Sequence, residues 1–374
     1  MNPYRFFHFR LYPFCVIFTP LNRYPTYTVQ ILMNKFLKII LAIMLLAGIF
    51  VAFKLIGPAA HKPEDGFLYV KTGTTVEQLK QQLTDEAILP GLTWFNVAEK
   101  FLSFDEVKPG KYKIDGGTSV VSLLRMLRNG SQTPVSFVVT KLRTKEQLAG
   151  KMGKAFEFDS TDAIRFLNNN DSLAHYGLDT NTVMGAVLPL TYENKWNTTP
   201  EAVFSKFNDA YRNFWTAERK QKAAQKGLSI TQVITLASIV DEETNASKEK
   251  GTIASVYMNR IAKGMPLQAD PTVKFALKDF TIKRVLFKHL ATPSPFNTYR
   301  NKGLPPGPIC TPQEATLDAV LNAPPTEYIY FVASPAFDGT HDFSTNYEDH
   351  MKLAKKYQEA LNQRFGKIQD TAKK

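Results

Sequence analysis

Residues that bind metals or form disulfides are scarce in this sequence. It has only 2 cysteines and 6 histidines in 374 residues, and the histidines are dispersed without the spacing of metal ligands. A structural or catalytic zinc site is therefore not expected. Internal repeats and low-complexity blocks are also absent, and the length allows two domains with their own cores.

Acidic residues are missing from residues 1–54, which carry six basic residues and therefore half of the net charge of +12. The milder basic surplus of the remaining chain suits a partner or matrix that bears carboxylates, or an anionic membrane surface. Nucleic acid is not a predicted partner, because the basic residues are scattered and no nucleic-acid motif accompanies them.

Long apolar segments are limited to one run, Ile39 to Phe53, which lies between Lys38 and Lys54. Extended to 37–57, it approaches the roughly 20 residues that a bilayer requires. We favour an uncleaved anchor over a cleaved signal, since no small-x-small cleavage site follows before Pro58. The basic flank, 1–36, then stays in the cytoplasm and the rest of the chain lies outside.

Two consequences follow from this anchor. Cys15 and Cys310 would lie on opposite sides of the membrane, so they could not pair within one chain. The stretch "MNKFLKII" at Met33 has the form of an ordinary start of a signal anchor, so residues 1–32 are interpreted as an upstream extension or a mis-called start.

After the anchor, residues 66–130 read as a β-α-α-β-α unit. This unit resembles a LysM-like module that holds glycans of the N-acetylglucosamine type, and the alternative is a scaffold domain that binds nothing. Residues 131–366 show a mixed pattern of helices and strands, and 367–374 form a tail. The predicted fold class is α+β, with a single N-terminal transmembrane helix and a small LysM-like domain before the larger domain.

The segment "ASIVDEETN" places three consecutive acids at the end of an apolar helix that Ser229 can cap. On a helical wheel Glu242 falls on the polar side and is predicted to be solvated. Glu243 and Asp241 both fall in the apolar arc, so the wheel does not choose between them. A carboxyl group held against aliphatic side chains has a raised pKa, which suits a general acid.

Three features lie beyond this helix. Ser247 is predicted to cap the next helix, and Asp270 with Pro271 is predicted to provide the N-cap and N1 positions of another. A stiff loop, "SPFNTYRNKGLPPGPI", is rich in proline and polar donors and is typical of a functional loop. A hairpin with an Asp-Gly turn then carries His341.

Three blocks, "ASIVDEETNASKEKGTIASVYMNRIAKGMPLQADPTVKFAL", "SPFNTYRNKGLPPGPI" and "YFVASPAFDGTHDFSTN", resemble the endolytic murein (peptidoglycan) transglycosylase family, also called YceG-like. The resemblance covers about residues 36–365. It implies that the glutamate before the threonine, Glu243, is catalytic. The sequence departs from the family at Asp241, where glutamate is usual, and at Leu190, where the family commonly has an acid.

The resemblance implies a lyase that cleaves the bond between N-acetylmuramic acid and N-acetylglucosamine and leaves 1,6-anhydro ends, without a metal or other cofactor. Its implied partners are peptidoglycan glycan strands, the cell (inner) membrane and enzymes of wall synthesis. The alternatives are a membrane-anchored glycan-binding scaffold and a hydrolase that uses Glu243 with Asp241. Sugars are held by polar side chains and aromatic faces, and the candidate groove residues are Tyr257, Asn259, Gln268, Asp270, Thr272, Asn297, Thr298, Tyr299 and His341.

Overall fold

The computed structural model describes the backbone of residues 26–365 and the side chains of residues 31–364. Most of the predicted N-terminal extension, including Cys15, and the predicted tail 367–374 lie outside the described residues.

The first helix, α1 (Thr26–Ile56), is the one helix in the described part of the chain that is long and apolar enough to cross a membrane. An 18-residue stretch within Ile31–Ile56 has a mean hydropathy of 2.8, and most of the apolar side chains of this segment are exposed. The helix extends beyond the predicted span 37–57 on the N-terminal side, because Ile31, Leu32 and Met33 continue its apolar surface.

The next unit follows the predicted element order. An antiparallel pair of strands, with Phe67 opposite Lys113, packs against three helices whose ends are set by local caps. Thr75 and Gln78 form a capping box, one residue later than the Thr74 and Glu77 pair that would fit the same motif. The elements are β1 (Phe67–Val70), α2 (Val76–Asp85), α3 (Thr93–Leu102), β2 (Gly110–Lys113) and α4 (Val120–Asn129).

A second core forms around an aromatic cluster that includes Phe137, Phe204 and Phe207. The charged segment 199–227 forms two helices rather than one, because the chain turns at the buried Trp215 and Thr216 caps the second helix. The elements are β3 (Val135–Val138), α5 (Lys145–Ala155), α6 (Ser160–Leu167), α7 (Asn170–Ala174), a 3-10 helix (Val183–Ala186), β4 (Thr191–Asn194), α8 (Pro200–Phe214) and α9 (Ala217–Gln225).

The third core surrounds the helix α10, which carries the three consecutive acids. Residues 233–241 of this helix are all buried, because α11, α14 and the chain before α5 cover it on several sides. The elements are α10 (Ile230–Glu243), α11 (Lys250–Ala262), α12 (Asp270–Leu277), α13 (Phe287–Leu290), α14 (Glu314–Leu321), β5 (Tyr330–Ala333), β6 (His341–Ser344) and α15 (Tyr347–Phe365).

The strands of the described residues form three separate two-stranded antiparallel sheets among many helices. The α+β prediction is therefore confirmed. In the third sheet β5 pairs with β6 so that Ala333 lies opposite His341, which places this hairpin beside the end of α10.

Candidate active site

Glu243 is the last residue of α10, and its position follows from local signals at both ends of that helix. Ser229 and Gln232 form a capping box at the start, and Thr244 ends the helix with an extended backbone. The Glu243 side chain is partly buried. Its Oε1 accepts a hydrogen bond of 2.7 Å from the hydroxyl of Tyr257, a buried residue of α11.

Burial is the main reason why the pKa of Glu243 rises from its ordinary value of 4.5 to about 7. The negative charges of Asp270 and Glu242 raise it further, whereas the Tyr257 hydroxyl and the charge of Lys274 lower it. Desolvation outweighs the stabilising contacts. A substantial share of this carboxyl group is therefore protonated at neutral pH, as a general acid requires.

Asp241 has a different environment, which resolves the choice that the wheel left open. It is only 2% exposed and pairs with Lys250 at 2.5 Å. It also accepts hydrogen bonds from the Thr316 hydroxyl at 2.8 Å and the Gln313 backbone N–H at 2.9 Å. A carboxylate held by this many donors joins α10 to α11 and α14.

The prediction that Glu242 is solvated was wrong. Its carboxylate lies 3.3 Å from the Lys141 ammonium and 2.9 Å from the Arg143 guanidinium, and its side chain is largely buried. The polar side of α10 faces the chain between β3 and α5 rather than water. These two cations compensate the charge that burial would otherwise destabilise.

Two cavities meet at Glu243. One, of about 340 Å³, is lined by α11, α12, the polar loop and β5, and the other, of about 620 Å³, lies along the β5–β6 turn and α15. Glu243, Ala333 and His341 line both cavities. The two cavities therefore adjoin at the Glu243 side chain, and together they are called the groove below.

Asp270 and Tyr299 form part of the wall of the smaller cavity, and the Tyr299 hydroxyl donates a 2.6 Å hydrogen bond to Oδ1 of Asp270. The predicted N-cap role of Asp270 was wrong: Ala269 occupies the N-cap position of α12, and Asp270 is the first helical residue. Its carboxylate therefore lines the cavity and does not cap the helix. Gln268 also lines this cavity, with a left-handed φ of 54°.

Three of the predicted groove residues lie behind this wall. Asn297 donates to the carbonyls of Leu290 and Thr292 at 2.9 Å each, so it shapes the loop. Thr298 and Thr272 are buried and share a 2.8 Å hydrogen bond. These contacts fix the loop that carries Tyr299 against α12.

Two further predictions concern α11. The amide of Asn259 donates to the carbonyls of Thr326 and Tyr328 at 2.7 and 2.9 Å, away from both cavities. Ser247 does not cap the helix as predicted. Glu249 is the N-cap residue and makes no side-chain cap bond, because its carboxylate contacts β6 instead.

His341 lines both cavities and is held in place by the carboxylate of Glu249. Glu249 accepts from the His341 backbone N–H at 2.9 Å, and its second oxygen lies 3.1 Å from Nδ1 of the imidazole. The ring packs edge-on against Phe331, with centroids 5.4 Å apart. These contacts orient the imidazole toward the groove.

Sequence reasoning missed Arg260, Phe331, His350 and Glu249. Arg260 follows Tyr257 by three residues, so the helical spacing could have placed it on the same face. Its guanidinium donates to the carbonyls of Ile329 and Leu267 at 2.7 and 2.6 Å, which joins β5 to the floor of the smaller cavity. The described residues contain no group of three or more His, Cys, Asp or Glu side chains that could hold a metal ion.

The comparisons with known proteins agree with one another. The sequence model of the YceG-like family matches residues 68–356. A Bacillus subtilis protein named endolytic murein transglycosylase is 27% identical over 318 residues, which cover 79% of this chain and 85% of that protein. A Streptococcus pneumoniae protein of the same name is 26% identical over 75% of this chain and 56% of its own length. A crystal structure of a YceG-like protein from Listeria monocytogenes shares the fold with a TM-score of 0.53 and 25% identity, over 77% of this chain and 98% of that one.

Proposed function

The chain belongs to the YceG-like family, and from this premise we propose that it is an endolytic lytic transglycosylase of peptidoglycan. In this proposal it cuts the β-1,4 bond between N-acetylmuramic acid and N-acetylglucosamine inside glycan strands. The new ends are 1,6-anhydro-muramic acid, and the cut terminates elongation of the nascent strand. The observation that carries the proposal is a partly buried carboxyl group with a pKa of about 7 at the junction of two cavities.

The reaction requires one protein carboxyl group. Protonated Glu243 gives its proton to the glycosidic oxygen while the bond from C1 of the muramic acid to that oxygen breaks. The C6 hydroxyl oxygen of the same sugar bonds to C1, and its proton passes to the Glu243 carboxylate. The carboxyl group is restored and no water is consumed. Because the nucleophile belongs to the substrate, proximity supplies much of the rate.

The residues around Glu243 support this role. The Tyr257 hydroxyl donates to Oε1, so it leaves Oε2 as the oxygen that carries the transferable proton. Tyr257, Gln268, Asp270, Tyr299 and His341 are the groove residues that we propose as sugar contacts, since all of them line the smaller cavity. Asn259, Thr272, Asn297 and Thr298 are proposed to act indirectly, by holding the backbone on which those contacts stand.

The wider setting is part of the proposal. Helix α1 is proposed to anchor the chain in the cell membrane with the active site outside, because its length and composition fit one span. The domain boundaries are proposed as 37–57 for the span, 66–130 for a LysM-like glycan-binding unit and 131–366 for the catalytic part. Enzymes of wall synthesis are proposed partners because they supply nascent strands.

A hydrolase is the second candidate, and one observation favours it. Asp270 lines the same cavity as Glu243, and a glycosidase that uses water needs two carboxylates around the bond. Asp241 is a poorer second carboxylate because it is buried in its ion pair with Lys250. The alternative of a glycan-binding scaffold without activity would leave the raised pKa of Glu243 without a role.

The test is digestion of wall sacculi by the full chain in detergent micelles, with mass spectrometry of the released glycans. The transglycosylase releases anhydro ends, each lighter by one water than the reducing ends that a hydrolase makes. Release of no fragments would indicate a scaffold. Glu243→Gln is expected to bind sacculi without releasing fragments, whereas Glu327→Gln, an exposed glutamate outside both cavities, is expected to behave as the wild type.

A further inference from the structure

Helix α3 carries an apolar stripe that the core does not cover. Trp94, Val97 and Phe101 follow one another at spacings of three and four residues, so they lie on one face of the helix. Trp94 is partly buried, but Val97 is 41% exposed and Phe101 is 84% exposed. Phe95 and Ala98 on the adjacent face already fill the core of this unit. The stripe therefore extends the apolar surface beyond what folding uses.

The stripe lies beside the proposed membrane span at a defined depth. The Trp94 ring packs edge-on against Phe50 of α1, with centroids 5.8 Å apart. The ammonium of Lys54, one helical turn later, lies 5.7 Å from the centroid of the same Phe50 ring. Trp94 and the ammonium of Lys54 therefore lie beside the same ring, close to the end of the apolar span.

Lys54 marks the outer boundary of the apolar span, since a lysine ammonium extends from the end of a span to the polar interface. Tryptophan prefers the same interfacial depth, where its ring is buried and its N–H stays near polar groups. The contact with Phe50 brings α3 to this level, and Lys100, which is exposed beside the stripe, can meet anionic headgroups.

We infer that the stripe formed by Trp94, Val97 and Phe101 inserts into the outer face of the lipid bilayer that α1 crosses. The inference rests on the proposed membrane span. The unit 66–130 is then attached to the membrane at two points, the span and α3, rather than tethered by the span alone. This second attachment fixes its orientation and holds the following active site at a set height above the lipid surface.

The inference can be tested with nitroxide labels on single cysteines in the full chain, inserted into vesicles of phosphatidylethanolamine and phosphatidylglycerol. Cys15→Ser removes one native thiol, and Cys310 is fully buried and protected from labelling. A label at Phe101→Cys is expected to collide more often with oxygen and less often with a water-soluble nickel complex than a label at Asn96→Cys. Asn96 is the matched control because it is exposed on the same helix, roughly 140° away around the axis.

A third label at Leu45→Cys, in the middle of α1, reports the span itself. The inference is overturned if the label at position 101 is as accessible to the nickel complex as the label at position 96 while the label at position 45 is in lipid. It also fails if position 45 is aqueous, because α1 then does not cross the bilayer. None of these signals depends on catalysis, so loss of the proposed activity would leave the result of this test unchanged.

Discussion

Replacement of the candidate acid should make the protein more stable at alkaline pH while it removes the activity. Glu243→Gln keeps the shape and polarity of the side chain but cannot ionise. The wild-type carboxyl group has a pKa of about 7 in the folded chain, against an ordinary value of 4.5. Its ionisation therefore lowers the free energy of unfolding of the wild type, and the glutamine variant does not undergo this loss.

The sign and size of this stability difference follow from the linkage between protonation and folding. Below pH 4.5 the carboxyl group is protonated in both states, so its ionisation costs no stability. As pH rises the unfolded chain ionises first, and the wild type loses free energy of unfolding until pH passes about 7. The two pKa values differ by about 2.5, and at 1.36 kcal/mol per pKa unit this difference limits the loss of free energy of unfolding to about 3 kcal/mol. Since the side chain retains some contact with solvent, we expect about 2 to 3 kcal/mol.

The assay is urea denaturation in mild detergent at pH 4 and pH 8, followed by tryptophan fluorescence, to which Trp215 in the core around α10 contributes. The difference in free energy of unfolding between Glu243→Gln and wild type should grow in favour of the variant from the lower to the higher pH. Glu327→Gln, which changes an exposed glutamate outside both cavities, is the matched control. Parallel pH dependence of wild type and Glu243→Gln would show that ionisation of Glu243 does not oppose folding.

Three further predictions concern neighbouring groups. Tyr257→Phe removes a hydrogen bond to a charged group, worth about 1.5 to 3 kcal/mol, and should raise the pKa of the Glu243 carboxyl by about 1 to 2 units in an infrared difference titration. An unchanged titration would contradict this. Lys250→Met leaves the Asp241 carboxylate buried without its cation and should lower the free energy of unfolding by about 3 to 5 kcal/mol. Addition of Asp241→Leu should restore this free energy. If it does not, loss of the ion pair is not the cause. Glu249→Gln releases the His341 ring and should raise KM for glycan about fivefold, with kcat nearly unchanged, if one bond of about 1 kcal/mol orients a sugar contact. An equal fall in kcat would instead indicate a role in the chemical step.

A local signal allowed the start of α10 to be predicted from sequence. Ser229, the predicted cap, forms a capping box with Gln232 within four residues, so no distant contact is needed to recognise it. The hairpin was also predicted, but Ala333 lies opposite His341, so residues 334–340 separate the strands and the loop is longer than a two-residue Asp-Gly turn. Asp270 shows the limit of such signals. Its carboxylate would suit an N-cap, but it accepts a hydrogen bond from the hydroxyl of the distant Tyr299 instead.

The three acids of α10 could not be separated by the helical wheel, which gives directions but not what lies in each direction. Glu242 pairs with residues about a hundred positions earlier in the chain, and Asp241 pairs with a lysine of the next helix. Glu243 alone of the three faces the groove, beside a tyrosine of that same helix. The family resemblance, rather than the apolar pattern, singled it out.

The central claim is that burial keeps Glu243 protonated near neutrality and so makes it the acid of the cleavage step. The most direct measurement is the pH dependence of kcat/KM for the formation of anhydro ends by the full chain. We expect a plateau at mildly acidic pH and a tenfold fall per pH unit above about 7, the pKa of this carboxyl group. A fall that begins near pH 4.5, the ordinary value for glutamate, would contradict it.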